Sequence, residues 1–122
     1  MKQESYAPQP ICQELYSKDT DGVVPPIFAY RHEPTGASIV LGAFYTGTAF
    51  PAKFRGGLFF YDFIQTWLRV AHVGDDEVRV MDFATGAGRS NDYNDGIIQI
   101  LQGEDGDLYT VNLSTIRRIS SR

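Results

Sequence analysis

The side chains with obvious chemical reactivity are few and dispersed along this chain of 122 residues. The two histidines, His32 and His72, are far from each other and from the single cysteine, Cys12, so none of them has a companion at metal-ligand spacing. One cysteine also excludes an internal disulfide. Isolated histidines are more often structural than catalytic. The sequence therefore offers no identifiable catalytic base and no metal site.

An acidic motif, Asp105-Gly106-Asp107, stands directly before an apolar segment that begins at Leu108. Its carboxylates can accept hydrogen bonds from turn amides, while Gly106 can adopt the positive φ that a tight hairpin entry requires. A calcium loop would need more oxygen ligands at graded spacing. We therefore predict a structural turn here.

Charge and composition limit the possible partners. The chain has 11 basic and 15 acidic residues, a net charge of -4 and a sequence pI of about 5.0, and its basic residues are dispersed, with only Arg117 and Arg118 adjacent. Such a chain has no cationic stripe for phosphates, so nucleic acid is not an expected partner. Residues 1–10 do not have the pattern of a signal peptide, and no apolar run approaches the roughly 20 residues of a membrane span. No membrane span is predicted, and the compartment is unknown.

A polar segment, residues 1–25, precedes a series of short β-branched and aromatic runs bounded by Gly, Asp or Pro. We interpret residues 1–25 as a loop or arm, and residues 26–122 as all-β. A helix over Tyr61–His72 is the local alternative. The predicted strands are Ile27–Tyr30, Ser38–Tyr45, Leu58–Phe63, Thr66–Val73 and Val78–Phe83, then Ile97–Leu101, Leu108–Leu113 and Thr115–Ile119.

A faint internal repeat relates the two series of strands. The run beginning at Leu58 resembles the one beginning at Leu108, 50 positions later, and Arg69 has a counterpart 49 positions later in Arg118. This period suits the four-stranded blade of a β-propeller, although chance similarity between two hairpins is the alternative. Propellers need about four to eight blades, so two blades would have to be completed by partner chains or by a missing remainder.

Four segments carry a resemblance to a known family. Pro25–His32, Gly36–Gly47, Phe54–Asp62 and Gly103–Val111 resemble, in order and spacing, the C-terminal part of glucose/sorbosone dehydrogenase-like proteins, the soluble quinoprotein aldose dehydrogenases. The resemblance covers roughly residues 25–122. It implies about two four-stranded antiparallel blades of a six-bladed propeller.

The resemblance also implies a function. The family often binds pyrroloquinoline quinone with calcium, oxidises aldose sugars at the central opening, and is often secreted or periplasmic. Its catalytic histidine lies in an early blade that has no match in this chain, so no catalytic residue and no cofactor are assigned here. The polar residues that we expect nearest the central opening, and nominate for ligand binding, are Arg55, Asp62 and Asp95.

These inferences lead to several functional hypotheses. The first is a partial propeller unit of a quinone-dependent sugar dehydrogenase, inactive alone. The alternatives are a non-catalytic propeller module that binds a protein or glycan, and a structural unit that forms oligomers. For assembly we predict a homo-oligomer, with a ring of three copies favoured over a dimer. In that ring Ile27–Tyr30 would fill the open fourth position of a neighbour's second blade.

Overall fold

The computed structural model describes residues 8–17, 24–85 and 96–120. It contains two antiparallel sheets, which confirms the all-β class. The first sheet, in the order β1-β2-β3-β4, consists of β1 (Ile39–Phe44), β2 (Leu58–Asp62), β3 (Trp67–Val73) and β4 (Val78–Thr85). The second sheet, in the order β5-β6-β7, consists of β5 (Gln99–Gln102), β6 (Leu108–Val111) and β7 (Ile116–Ile119). The seven strands predicted beyond residue 37 are thus confirmed, with small shifts at their ends.

The segment before β1 differs from its prediction in two ways. Within the predicted loop or arm lie a 3₁₀ turn, Pro10–Cys12, and a short helix α1, Gln13–Ser17. The predicted strand Ile27–Tyr30 is wrong: none of these residues belongs to a strand, and the segment joins neither sheet. Its aromatic side chains, Phe28 and Tyr30, instead pack onto Phe60 and Trp67 on one face of the first sheet. We call residues 27–30 the strap.

A hairpin between β2 and β3 excludes the helix considered for Tyr61–His72. Asp62 ends β2, and its Oδ1 accepts hydrogen bonds from the amides of Ile64, at 2.8 Å, and Gln65, at 2.6 Å. Thr66 completes the turn with a φ of 55°, a conformation that non-glycine residues seldom adopt. The carboxylate organises the turn because it satisfies two amides that have no partner in the sheet.

The second sheet repeats this turn. Asn112, which follows β6, accepts hydrogen bonds at its Oδ1 from the amides of Ser114, at 2.9 Å, and Thr115, at 2.7 Å. Asp62 and Asn112 therefore occupy equivalent positions. The second hairpin is shorter, because Thr110 pairs with Arg117 whereas its counterpart Phe60 pairs with Arg69. The structural counterpart of Arg69 is thus Arg117, one residue before the Arg118 suggested by the sequence repeat.

The two sheets pack face to face and approach each other most closely at β1 and β5. Gly42 in β1 permits this approach, since a Cβ there would lie 2.9 Å from the Cβ of Ile100 and 2.3 Å from the carbonyl oxygen of Phe59. Towards β4 the space is filled by rings from the β1–β2 loop, where Phe50 and Phe54 contact Phe83. The buried core residues are Tyr45, Phe50, Phe54, Phe59, Tyr61, Leu68, Val70, Ile97, Ile100 and Leu108.

The close approach at β1 and β5 leads to a stability prediction. We expect Gly42→Ala to lower the free energy of unfolding by about 1–3 kcal/mol, because the added methyl group overpacks the contact with Ile100 and Phe59. Gly74→Ala is the matched control, since its Cβ would lie 3.3 Å from its nearest neighbour, the Glu77 carbonyl oxygen. Urea denaturation measures both. Equal stability of the two variants would contradict the tight packing at Gly42.

Candidate functional site

Asp62, one of the nominated ligand-binding residues, is fully buried on the face of the first sheet that the strap covers. Besides the two turn amides, its carboxylate accepts a short hydrogen bond from the Tyr30 hydroxyl and one of 3.3 Å from the Ser38 amide. Four donors thus surround one carboxylate. A buried charge is tolerated when its oxygens are satisfied in this way.

The same contacts shift both pKa values. Burial pushes the pKa of Asp62 upwards, but hydrogen bonds from Gln65, Tyr30, Ile64 and Ser38 outweigh it, so the net pKa lies below the ordinary value of 3.8. Burial, followed by the hydrogen bond to Asp62 and the charge of Asp62, raises the pKa of Tyr30 to about 12. At neutral pH the pair is therefore a neutral phenol that donates to a carboxylate, and it anchors the strap to the sheet.

The strap is also held by aromatic packing. The ring of Phe28 meets that of Phe60 edge to face at 5.8 Å between centroids, and the ring of Tyr30 meets that of Trp67 at 5.3 Å. Edge-to-face pairs of this kind stabilise beyond the apolar area that they bury. The strap thus covers the end of the sheet around Trp67.

Arg55, the second nominated residue, lies in the loop before β2, while Asp62 lies at the opposite end of that strand. The side chain of Arg55 is exposed, and its Nε donates a 2.8 Å hydrogen bond to the carbonyl oxygen of Phe50. The structure therefore does not bring these two residues together. Asp95, the third, lies outside the described residues. Ligand binding by any of the three stays a prediction.

The acidic turn forms as predicted. Gly106 has a φ of 80°, and the Oδ1 of Asp105 accepts the amide of Asp107 at 3.1 Å. The other oxygen of Asp105 accepts the hydroxyl of Tyr109 at 2.6 Å, which lowers the pKa of Asp105 and raises that of Tyr109. Arg118 pairs with Asp107 and lies 3.7 Å from Asp105. The turn carboxylates therefore make hydrogen bonds and ion pairs with groups of the second sheet.

The described residues do not fit the quinone and calcium that the family resemblance implies. A site for the carboxylates of the quinone needs several cations that converge. Three of the described arginines instead pair with separate acids, Arg69 with Asp82, Arg79 with Glu77 and Arg118 with Asp107. Within residues 8–17, 24–85 and 96–120 no group of three acidic, histidine or cysteine side chains could hold a metal ion. We derive no reaction step through either group.

The histidines take structural or exposed positions. His72 has its Nε2 2.8 Å from the carbonyl oxygen of Lys53, and thus ties β3 to the β1–β2 loop. His32 is exposed in the segment between the strap and β1. Neither histidine lies in the core or in the face covered by the strap.

The feature that sequence reasoning missed is an apolar groove between the strap and the first sheet. On its floor Leu41 is 67% exposed and Ile39 is 55% exposed, a large exposure for aliphatic residues of a strand. A signal was present, because the unbroken run Ile39-Val40-Leu41 is typical of a strand that is covered on both faces. The groove is lined by Ile27, Phe28, Ile39, Leu41, Leu58, Phe60 and Ala71.

Comparisons with protein-family models, with curated proteins and with solved structures found no match to this chain. In the part of the chain that the structure describes, no helix has the length and apolar character needed to cross a membrane. The family assignment therefore rests on the residues quoted above and is a proposal.

The bond between Tyr30 and Asp62 can be tested by its pH dependence. We expect Tyr30→Phe to lower the free energy of unfolding by about 1.5–3 kcal/mol at neutral pH, the range for hydrogen bonds to charged groups. Because the folded-state pKa of Tyr30 is about 12 and the unfolded value is 10.0, this contribution is complete below pH 10 and is lost as the pH rises through 12. The measurement is urea denaturation of both proteins from pH 7 to 12.

The control is Tyr109→Phe, which removes an exposed phenol–carboxylate bond instead. We expect this variant to lose much less stability than Tyr30→Phe, because solvent screens exposed pairs and they contribute little. If the stability difference between wild type and Tyr30→Phe stayed constant across pH 10 to 12, the phenol would not be bound to Asp62.

A second prediction separates the two roles of Asp62. We expect Asp62→Asn to retain the turn, since Asn112 makes the equivalent hydrogen bonds, and to be less destabilising than Asp62→Ala, which frees all four donors. Because the pKa of Asp62 is lowered in the folded state, its charge stabilises the protein above about pH 4, and this contribution is lost as the pH falls. The advantage of wild type over Asp62→Asn should therefore shrink in acid. An advantage that grew in acid would refute the charge assignment.

Proposed function

We propose that this chain is a partial β-propeller unit, resembling the C-terminal blades of a pyrroloquinoline quinone-dependent aldose sugar dehydrogenase, and that it contributes two blades to a larger propeller. The single observation that carries the proposal is the arrangement of the two sheets, which stack face to face and leave an apolar sheet face open. Alone, the chain is inactive as a dehydrogenase.

The geometry of the stack supports a propeller. In a propeller, antiparallel four-stranded blades radiate from a central channel, so their first strands lie closest together and their last strands furthest apart. Here β1 and β5 are the closest strands of the two sheets, and aromatic rings fill the space beside β4. The repeated turn at Asp62 and Asn112 supports the view that both sheets are copies of one unit.

The open face supports assembly. Exposed aliphatic side chains such as Leu41 and Ile39 cost about 25 cal/mol per Å² of apolar surface left in water, and contiguous patches of this kind commonly mark interaction sites. Since two blades cannot close a ring, further blades come from other copies or from the remainder of a longer protein. Three copies would give the six blades that the resemblance implies.

Inactivity of the chain alone follows from the chemistry that oxidation of a sugar needs. A base must be poised over the sugar carbon, and positive charge must surround the quinone oxygens. The described residues supply separate ion pairs instead of converging cations, and the family's catalytic histidine belongs to a blade without a match here.

The groove also favours a second candidate, a non-catalytic propeller module with a protein ligand. Its lining is almost wholly apolar, and apolar grooves suit protein side chains. A glycan, which needs polar partners for its hydroxyl groups, fits this groove less well. The third hypothesis is a structural unit that forms oligomers and binds no ligand.

The purified chain tests the catalytic part of the proposal. We expect no aldose-dependent dye reduction after addition of pyrroloquinoline quinone and calcium, with an intact quinoprotein as the positive control. Turnover that His32→Ala abolishes would show instead that His32 is the base and that the chain is a complete enzyme.

Light scattering tests the assembly part. We expect a folded species heavier than one chain at micromolar concentration, with a trimer favoured. A well-folded monomer would refute both the assembly and the count of two blades on which it rests.

A further inference from the structure

The groove face of the first sheet has a structural counterpart that is buried within the same chain. Pairing with β2 and β6 places Leu41 opposite Phe60 and Ile100 opposite Thr110, two equivalent positions. By the same pairing, Leu58 and Ala71 form a pair equivalent to Leu108 and Ile119. The floor of the groove therefore corresponds to the set Ile100, Leu108, Thr110 and Ile119.

That counterpart face is covered by the first sheet. Ile100 is 1% exposed and Leu108 is fully buried in the core, whereas Leu41 is 67% exposed. The second sheet thus lays its groove-type face on the opposite face of the first sheet. This is head-to-tail stacking, in which each unit offers two different faces.

Within the part of the chain that the structure describes, head-to-tail stacking leaves two unlike faces open, one on each sheet. The first is the groove. The second is the outer face of the second sheet, where Leu101 is 45% exposed and Ile116 is 70% exposed. By register this outer face is equivalent to the buried face of the first sheet, since Tyr109 corresponds to Phe59 and Ile116 to Leu68. The outer face comprises Gln99, Leu101, Tyr109, Val111, Ile116 and Arg118.

We propose that the groove of one copy binds the outer face of the second sheet of another copy, which continues between chains the stacking found within the chain. This inference deepens the proposed assembly and rests on it. The contact is heterologous, so an open assembly keeps one free groove at one end and one free outer face at the other until a ring closes.

The charges of the two faces suit this contact. Arg118 on the outer face is already paired with Asp107, and Arg69 beside the groove is paired with Asp82 and lies over the Trp67 ring at 4.1 Å. Neither face would therefore bury an arginine that lacks a counter-ion, which would be costly.

The proposed contact between two copies differs in shape from the stack within one chain at one position. Leu101 lies near the place that corresponds to Gly42, so two copies cannot approach as closely as β1 and β5 do. The groove between Ile27 and the strands provides room for such a side chain.

Two charge variants test the contact, one on each face. We expect Leu41→Asp and Ile116→Asp each to abolish the assembled form in light scattering, because each places a charge in one half of the interface. Both residues are largely exposed within a chain, so the far-ultraviolet circular dichroism and the Trp67 fluorescence should match wild type. Leu113→Asp is the control, since Leu113 is 90% exposed in the β6–β7 turn, outside both faces, and should assemble like wild type.

Mixing the two variants tests the pairing of unlike faces. The Leu41→Asp chain keeps an intact outer face and the Ile116→Asp chain keeps an intact groove, so an equimolar mixture should form a dimer with one chain of each. The mass is measured over a concentration series with each variant alone as reference. A groove-to-groove dimer predicts instead that Ile116→Asp still dimerises and that mixing restores nothing, and either result overturns the inference.

The outcomes distinguish the two proposals. A wild-type chain that assembles while Ile116→Asp assembles equally well refutes the contact but leaves the partial propeller in place. A monomeric wild type refutes the assembly itself. Should either variant unfold, Leu41→Lys or Leu101→Asp replaces it on the same face, and the same mixing result is required.

Discussion

The first sheet carries apolar side chains on both of its faces, and each face has to be covered. On one face the second sheet provides the cover, with Gly42 allowing Ile100 to reach the backbone of β1. On the other face the strap covers only the end near Trp67 and leaves Leu41 in solvent. Because burial of apolar area is the main favourable contribution to folding, this unequal cover explains both the position of the core and the location of the open groove.

Asp62 couples the local and the long-range parts of the fold. Its Oδ1 shapes the β2–β3 turn, as Asn112 does in the second sheet, whereas its other oxygen binds Tyr30 and the amide before β1. An amide would suffice for the turn alone. The additional acceptor oxygen of the carboxylate therefore serves the strap, and the lowered pKa of Asp62 reflects donors from three separate parts of the chain.

Many polar side chains of the described residues make hydrogen bonds or ion pairs that stabilise the fold. Arginines pair with nearby acids, the acidic turn bonds to Tyr109 and Arg118, and Arg55 holds the carbonyl of Phe50. Catalytic sites instead concentrate titratable groups in one cleft. Among the described residues the groove is a feature without an internal partner, and its lining is apolar. Apolar surface is what blades of a propeller bury against one another.

Elements whose signals are local could be predicted from the sequence. Alternating β-branched and aromatic runs indicated the strands from Ile39 onwards, and the Asp-Gly-Asp motif indicated the turn at Gly106, since strand pairing and turn geometry depend on neighbouring residues. The packing of Ile27–Tyr30, the set of donors around Asp62 and the exposure of Leu41 could not be predicted in this way. These depend on contacts between residues far apart in the chain, and apolar periodicity shows that a face is buried without showing what buries it.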